Sequence, residues 1–155
     1  SGDSTFPAMR LAEPFERLRD ASDARLAHKG ARPQVFLAAL GAASASAPRV
    51  GFARGAFEAG GLQAIVSADL HTADEAARAF AAAGASVVCL CGADAAYADA
   101  AGFARALKAA GARFIALAGR PGEQESALRE AGVDDFLSMG SDIVATLTAA
   151  LQRAD

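Results

Sequence analysis

Tryptophan is absent from these 155 residues, tyrosine occurs once, and histidine and cysteine occur twice each. So few thiols cannot build a disulfide framework. A metal site built on Cys89 and Cys91 would need further ligands, and the only histidines are His28 and His71. The two cysteines stand two apart in the run SVVCLC. In a strand both would share one face, where a disulfide between such near neighbours is strained. They read as buried thiols in a reducing cytoplasm. Nothing approaches the roughly 18 consecutive apolar residues of a membrane span. Net charge is only -3, with 21% of residues charged, which leaves no electrostatic footing for nucleic acid or a membrane surface. Neither G-x-x-x-x-G-K-[ST] nor G-x-G-x-x-G occurs, so the two common nucleotide-binding loops are missing.

What is present is core. Apolar residues make up 53% of the chain, enough for one packed domain with an extension. The start, Ser1-Gly2-Asp3-Ser4, has neither an initiator Met nor a secretory pattern and reads as a processing scar. Residues 1–10 are expected to form a flexible arm, 11–33 a linker helix, and 34–155 the domain proper. In the linker, Pro14 suits a first helical turn, Phe15, Leu18 and Leu26 give a thin apolar stripe, and Lys29-Gly30 is the stop. Such a stripe predicts loose docking.

From residue 34 the pattern alternates. Candidate strands are 34–40, 62–67, 86–91, 113–118 and 135–138, and candidate helices are 48–59, 72–83, 95–110, 122–131 and 141–153. Thr72 with Glu75 spells a capping box, and Gly84, Gly111 and Gly132 stand where helices must stop. Short apolar strands separated by helices demand parallel pairing with right-handed crossovers. Five of them predict a doubly wound α/β sheet of flavodoxin-like order 2-1-3-4-5, preceded by an extra N-terminal helix.

A sheet of that order binds ligands at the carboxyl ends of its first and third strands. The first loop there reads Gly41-Ala42-Ala43-Ser44-Ala45-Ser46-Ala47, with Pro48 expected to open the helix. It has the address of a binding site and almost none of the chemistry. Receiver domains of this fold need an acidic pair after strand one and an aspartate ending strand three, and those places hold Gly41-Ala42-Ala43 and Cys91. Asp69, His71, Asp74 and Glu75 cluster after strand two, but the capping box accounts for Glu75 and leaves His71 a surface residue. Arg120-Pro121-Gly122-Glu123 reads as a turn with a solvated arginine. Ser44, Ser46 and Ser141 have no histidine or carboxylate at nucleophile spacing, so no catalytic residue is assigned.

Several stretches carry a resemblance. Residues 10–23 (RLAEPFERLRDASD) resemble the segment leading out of the substrate barrel in methylmalonyl-CoA mutases. Residues 35–41 (VFLAALG), 52–61 (FARGAFEAGG) and 131–145 (AGVDDFLSMGSDIVA) resemble the cobalamin-binding domain of that family, in the form found in the small, non-catalytic subunit of bacterial heterodimers. In its cobalamin-binding members strand one runs into D-x-H-x-x-G, whose histidine ligates cobalt and whose aspartate supports the imidazole. Here those places hold Ala43, Ala45 and Pro48. The S-x-L motif after strand three maps to Cys91-Gly92-Ala93, and the paired glycines after strand four to Ala118-Gly119.

A methyl group has no lone pair for cobalt, and Ala43 cannot orient an imidazole. The resemblance therefore implies a degenerate domain that binds no cobalamin and holds no metal. Its role would be structural, within a heterodimer that isomerises methylmalonyl-CoA and succinyl-CoA. Adenosylcobalamin is then expected in the large catalytic partner subunit, and the domain's own barrel is a second partner. The alternatives are a module that holds a corrinoid without a histidine ligand, and a domain of a related acyl-CoA mutase.

Overall fold

The computed structural model describes residues 7–154. Five strands, β1 (Gln34–Ala39), β2 (Gln63–Val66), β3 (Val87–Cys91), β4 (Phe114–Ala118) and β5 (Asp135–Leu137), form one sheet. The order is β2-β1-β3-β4-β5, and every pairing is parallel. The expected flavodoxin-like topology, with an added N-terminal helix, is present. Strand β1 runs past its last ladder pair through a bridge between Leu40 and Leu70, so the loop after β2 is tied to the sheet's carboxyl edge.

Among the described residues, six α-helices accompany the sheet: α1 (Pro7–Lys29), α2 (Ala43–Ala59), α3 (Ala73–Ala83), α4 (Ala100–Ala109), α5 (Glu125–Ala131) and α6 (Ile143–Gln152). Because side chains alternate along a strand, β1, β3 and β4 feed two cores. Phe36, Leu90 and Ile115 face α3, α4 and α5, where Phe80, Phe103 and Leu107 complete one core. Leu37, Cys89 and Ala116 face α1, α2 and α6, where Leu18, Phe57 and Leu147 complete the other. Both faces are covered, as a parallel sheet requires.

Several boundaries differ from expectation. Helix α1 already runs from Pro7, so residues 7–10 of the expected arm are helical and Pro14 lies inside the helix. The remainder of that arm, residues 1–6, lies outside the described residues. Helix α2 starts at Ala43 rather than at Pro48, which sits in its second turn. The expected helices at 95–110 and 122–131 each begin as a 3-10 turn, Asp94–Asp99 and Gly122–Gln124.

The capping box on α3 is formed. The Thr72 hydroxyl accepts from the Glu75 N–H at 3.1 Å, and the Glu75 carboxylate accepts from His71 and Thr72 N–H at 2.7 and 3.1 Å. Those two backbone bonds hold the Glu75 carboxyl below its ordinary range. His71 is exposed.

Helix α1 has a seat that its thin stripe did not announce. Leu18 is buried and Leu26 is 40% exposed, so apolar burial is indeed small. A buried polar contact makes up for it: the Ser22 hydroxyl donates to the Gly61 carbonyl at 2.6 Å. Arg32 ties the same turn by donating to Ser22 Oγ at 2.9 Å and pairing with Asp23 at 2.7 Å. Two small residues, Ser22 and Gly61, let the helix and the chain approach closely.

A crevice filled from within

The switch point lies where β1 and β3 end and their chains turn to opposite faces of the sheet. Helix α2 begins there with Ala42 as its first capping position and no side chain of its own to cap it. The cap comes from another loop: the Ala43 N–H donates to Asp69 Oδ2 at 3.3 Å. A carboxylate at a helix N-terminus satisfies an orphan donor and complements the macrodipole. The place where an anionic ligand would sit on this helix is thus taken by Asp69. That gives a role to one of the two acids in the 69–75 cluster that the capping box left unexplained.

The positions singled out from the sequence fall into two groups. Ala43, Ala45 and Pro48 are exposed on the first turns of α2. Cys91 and Ala118 are fully buried at the ends of β3 and β4. Their sulfur and methyl groups belong to the packed core under the crevice. Ala93 is half-buried, and Gly119 has a backbone φ of +129°, a conformation that favours glycine. The Cys89 and Cys91 sulfurs are 3.9 Å apart and unlinked. Their hydrogen bond, together with burial, pushes the Cys89 thiol well up, so it stays protonated.

Two residues not foreseen from the sequence occupy the crevice itself. Arg49, one turn into α2, donates to the Gly92 carbonyl at 2.8 Å and pairs with Asp94 at 2.9 Å. Its guanidinium carbon lies 5.2 Å from the centre of the Tyr97 ring. A Cβ on Gly119 would stand 3.2 Å from the same carbon, so the guanidinium would have to give by a few tenths of an ångström. Below it, the buried Tyr97 hydroxyl accepts the Gly92 N–H at 3.0 Å and donates to the Ala118 carbonyl at 2.6 Å. Burial pushes this phenol far up, so it remains a donor.

Arg49 divides what is left of the crevice. One cleft of about 310 Å³ lies against Ala45, Pro48, Gly92 and Ala93. Another of about 360 Å³ lies against Phe52, Gly119, Arg120 and Ser138. A larger cavity, about 670 Å³, opens at the other end of the sheet between α1 and the start of β2. It is lined by charges such as Arg32 and Glu58, which pair with Asp23 and Arg54 respectively. It lies beside the seat of α1, away from the switch point and from the crevice positions singled out from the sequence.

Among the described residues, no group of three or more His, Cys, Asp or Glu side chains is placed to hold a metal ion. No described helix is long and apolar enough to cross a membrane. At the crevice Ala45 carries a methyl group, its neighbours are wound into α2, and Arg49 and Tyr97 hold the space between the strand ends.

Fold and crevice together define a doubly wound, flavodoxin-like α/β domain whose carboxyl edge carries its own Arg49 and Tyr97 between two clefts. Sequence comparison makes this specific. The chain is 47% identical over 149 residues to a methylmalonyl-CoA mutase small subunit from Streptomyces virginiae, covering 96% of this chain and 23% of that protein. A probable methylmalonyl-CoA mutase small subunit of Mycobacterium tuberculosis is 40% identical over 158 residues, covering 98% and 25%. The methylmalonyl-CoA mutase small subunit of Propionibacterium freudenreichii subsp. shermanii is 36% identical over 145 residues, covering 92% and 22%. No family model matches the chain. The chain is therefore a homologue of methylmalonyl-CoA mutase small subunits, and it spans about a quarter of the length of these curated relatives.

Proposed function

We propose that this chain is the degenerate cobalamin-binding-like domain of a methylmalonyl-CoA mutase small subunit, and that its role is structural. It supports a heterodimer whose large subunit isomerises (R)-methylmalonyl-CoA and succinyl-CoA in the cytoplasm. Adenosylcobalamin, which supplies the radical chemistry of that reaction when bound, belongs to the large subunit in this reading. The observation that carries it is the state of three positions on one helix. Ala43, Ala45 and Pro48 offer no lone pair to cobalt, and they form the first turns of α2 under the Asp69 cap.

Nothing in the domain acts as acid, base or nucleophile. What it offers is a covered sheet with a closed edge, rigid without a cofactor. The test uses the intact complex. Large and small subunits co-expressed and reconstituted with excess adenosylcobalamin should hold one cobalt per heterodimer by metal analysis after gel filtration. Two cobalts per heterodimer would contradict the assignment. A small subunit lacking this segment should pair poorly with the large subunit, and undiminished pairing would remove the structural role.

A further inference from the structure

We infer that the Gly92 carbonyl, the Asp94 carboxylate and the face of Tyr97 form a guanidinium-binding site, which the chain fills with its own Arg49. The inference rests on the reading that no cofactor orders this crevice, and it names what orders it instead. Each of the three groups attracts a cation, and their placement suits a planar one. A carbonyl accepts a charge-assisted hydrogen bond, here at 2.8 Å, and a carboxylate accepts a second, at 2.9 Å. The tyrosine ring takes the cation on its face at 5.2 Å, inside the range of a cation–π contact.

The two hydrogen bonds leave from different nitrogens, Nη1 and Nη2. Only a rigid fork reaches both partners while lying over a ring, so lysine is no substitute. Asp94 is 92% exposed, and its pair with Arg49 adds little by itself. The weight rests on the carbonyl and the ring. Gly119 borders the site, and a Cβ there would crowd the guanidinium at 3.2 Å.

The site joins three segments: α2 through Arg49, the turn after β3 through Gly92 and Asp94, and the turn after β4 through Gly119. Arg49 also forms a wall of both neighbouring clefts. Shortening it should merge them into one groove with an empty receptor in the middle.

The experiment is an amide NMR titration of the 155-residue Arg49→Ala chain with methylguanidinium chloride at constant ionic strength, with methylammonium as control. Saturable shifts are expected at Gly92, Asp94 and Gly119, with half-saturation on the order of 1–10 mM for so small a ligand. The variant should melt about 3–6 °C below the unmodified chain and recover part of that difference with methylguanidinium. The unmodified chain, with its receptor filled, should show neither effect. A variant that melts like the unmodified chain, an equal response to methylammonium, or an equal response of the unmodified chain would overturn the inference. If Arg49→Ala does not fold, Arg49→Lys decides: it should lose the native Gly92 and Gly119 shifts, and a native spectrum would overturn the inference. Cobalamin binding by the unmodified chain would instead sink the reading of a closed crevice, while leaving the methylguanidinium result standing.

Discussion

Tyr97→Ala should lower the stability of the domain by about 3–5 kcal/mol, the range for removing a large buried aromatic side chain. Tyr97 is 5% exposed and belongs to the core on the α3–α5 face of the sheet. Its ring also lies under the guanidinium of Arg49. Tyr97→Phe isolates the hydroxyl and should cost about 1–3 kcal/mol, because the Gly92 N–H and the Ala118 carbonyl lose their partner inside the fold. The phenol is held protonated by burial, so the difference between Tyr97→Phe and the unmodified chain should not change across neutral pH. Urea unfolding followed by far-ultraviolet circular dichroism measures both. A Tyr97→Phe midpoint equal to that of the unmodified chain would show that the bridge between β3 and β4 contributes nothing.

The second large effect is expected at the other end of the sheet. Gly61→Ala would place a Cβ 2.6 Å from the Ser22 Cβ and 3.3 Å from the Arg19 Cα, at a backbone φ of +90°. Overpacking of this kind costs about 1–3 kcal/mol, and the left-handed conformation about 1–2 more. The clash cannot relax by rotating a flexible side chain, since Ser22 Cβ and Arg19 Cα are fixed to the helix backbone. The simplest relief is for α1 to lift away, breaking the bond between Ser22 and the Gly61 carbonyl. Hydrogen exchange should then show α1 losing protection while β1 and β3 keep theirs. Unchanged protection in α1 would contradict the role given to this close contact.

These two sites mark the limit of what the sequence alone conveys. Strand order was legible because each apolar run is short, ends at a turn residue, and is followed by a segment of helical period. The capping box at Thr72 was legible for the same reason: its two partners are three residues apart. The start of α2 was not. Pro48 suits a helix start by local rule, but the cap on Ala43 comes from Asp69, 26 residues away. Only folding brings that carboxylate to the helix.

Arg49 and Tyr97 were hidden in the same way. An arginine on an amphipathic helix reads as solvated, and a single tyrosine in an alanine-rich stretch reads as core. Two signals pointed toward them. Tyr97 is the only tyrosine and follows the turn after β3, and Gly119 is a glycine that directly follows β4. The scarcity of polar side chains in the loop after β1 was legible because absence can be read from one residue at a time. What filled the space could not be read so, because filling is a property of three loops at once.

The central claim of the proposed reading is that the carboxyl edge of this sheet does not take up cobalamin. A visible-spectrum titration of the 155-residue chain with hydroxocobalamin, paired with a thermal melt, tests it most directly. A ligand stabilises only a state that it binds. The spectrum should therefore stay that of free cobalamin, and the melting temperature should not move. A histidine-ligated spectrum with micromolar saturation, or a melting temperature that climbs with cobalamin concentration, would contradict the account.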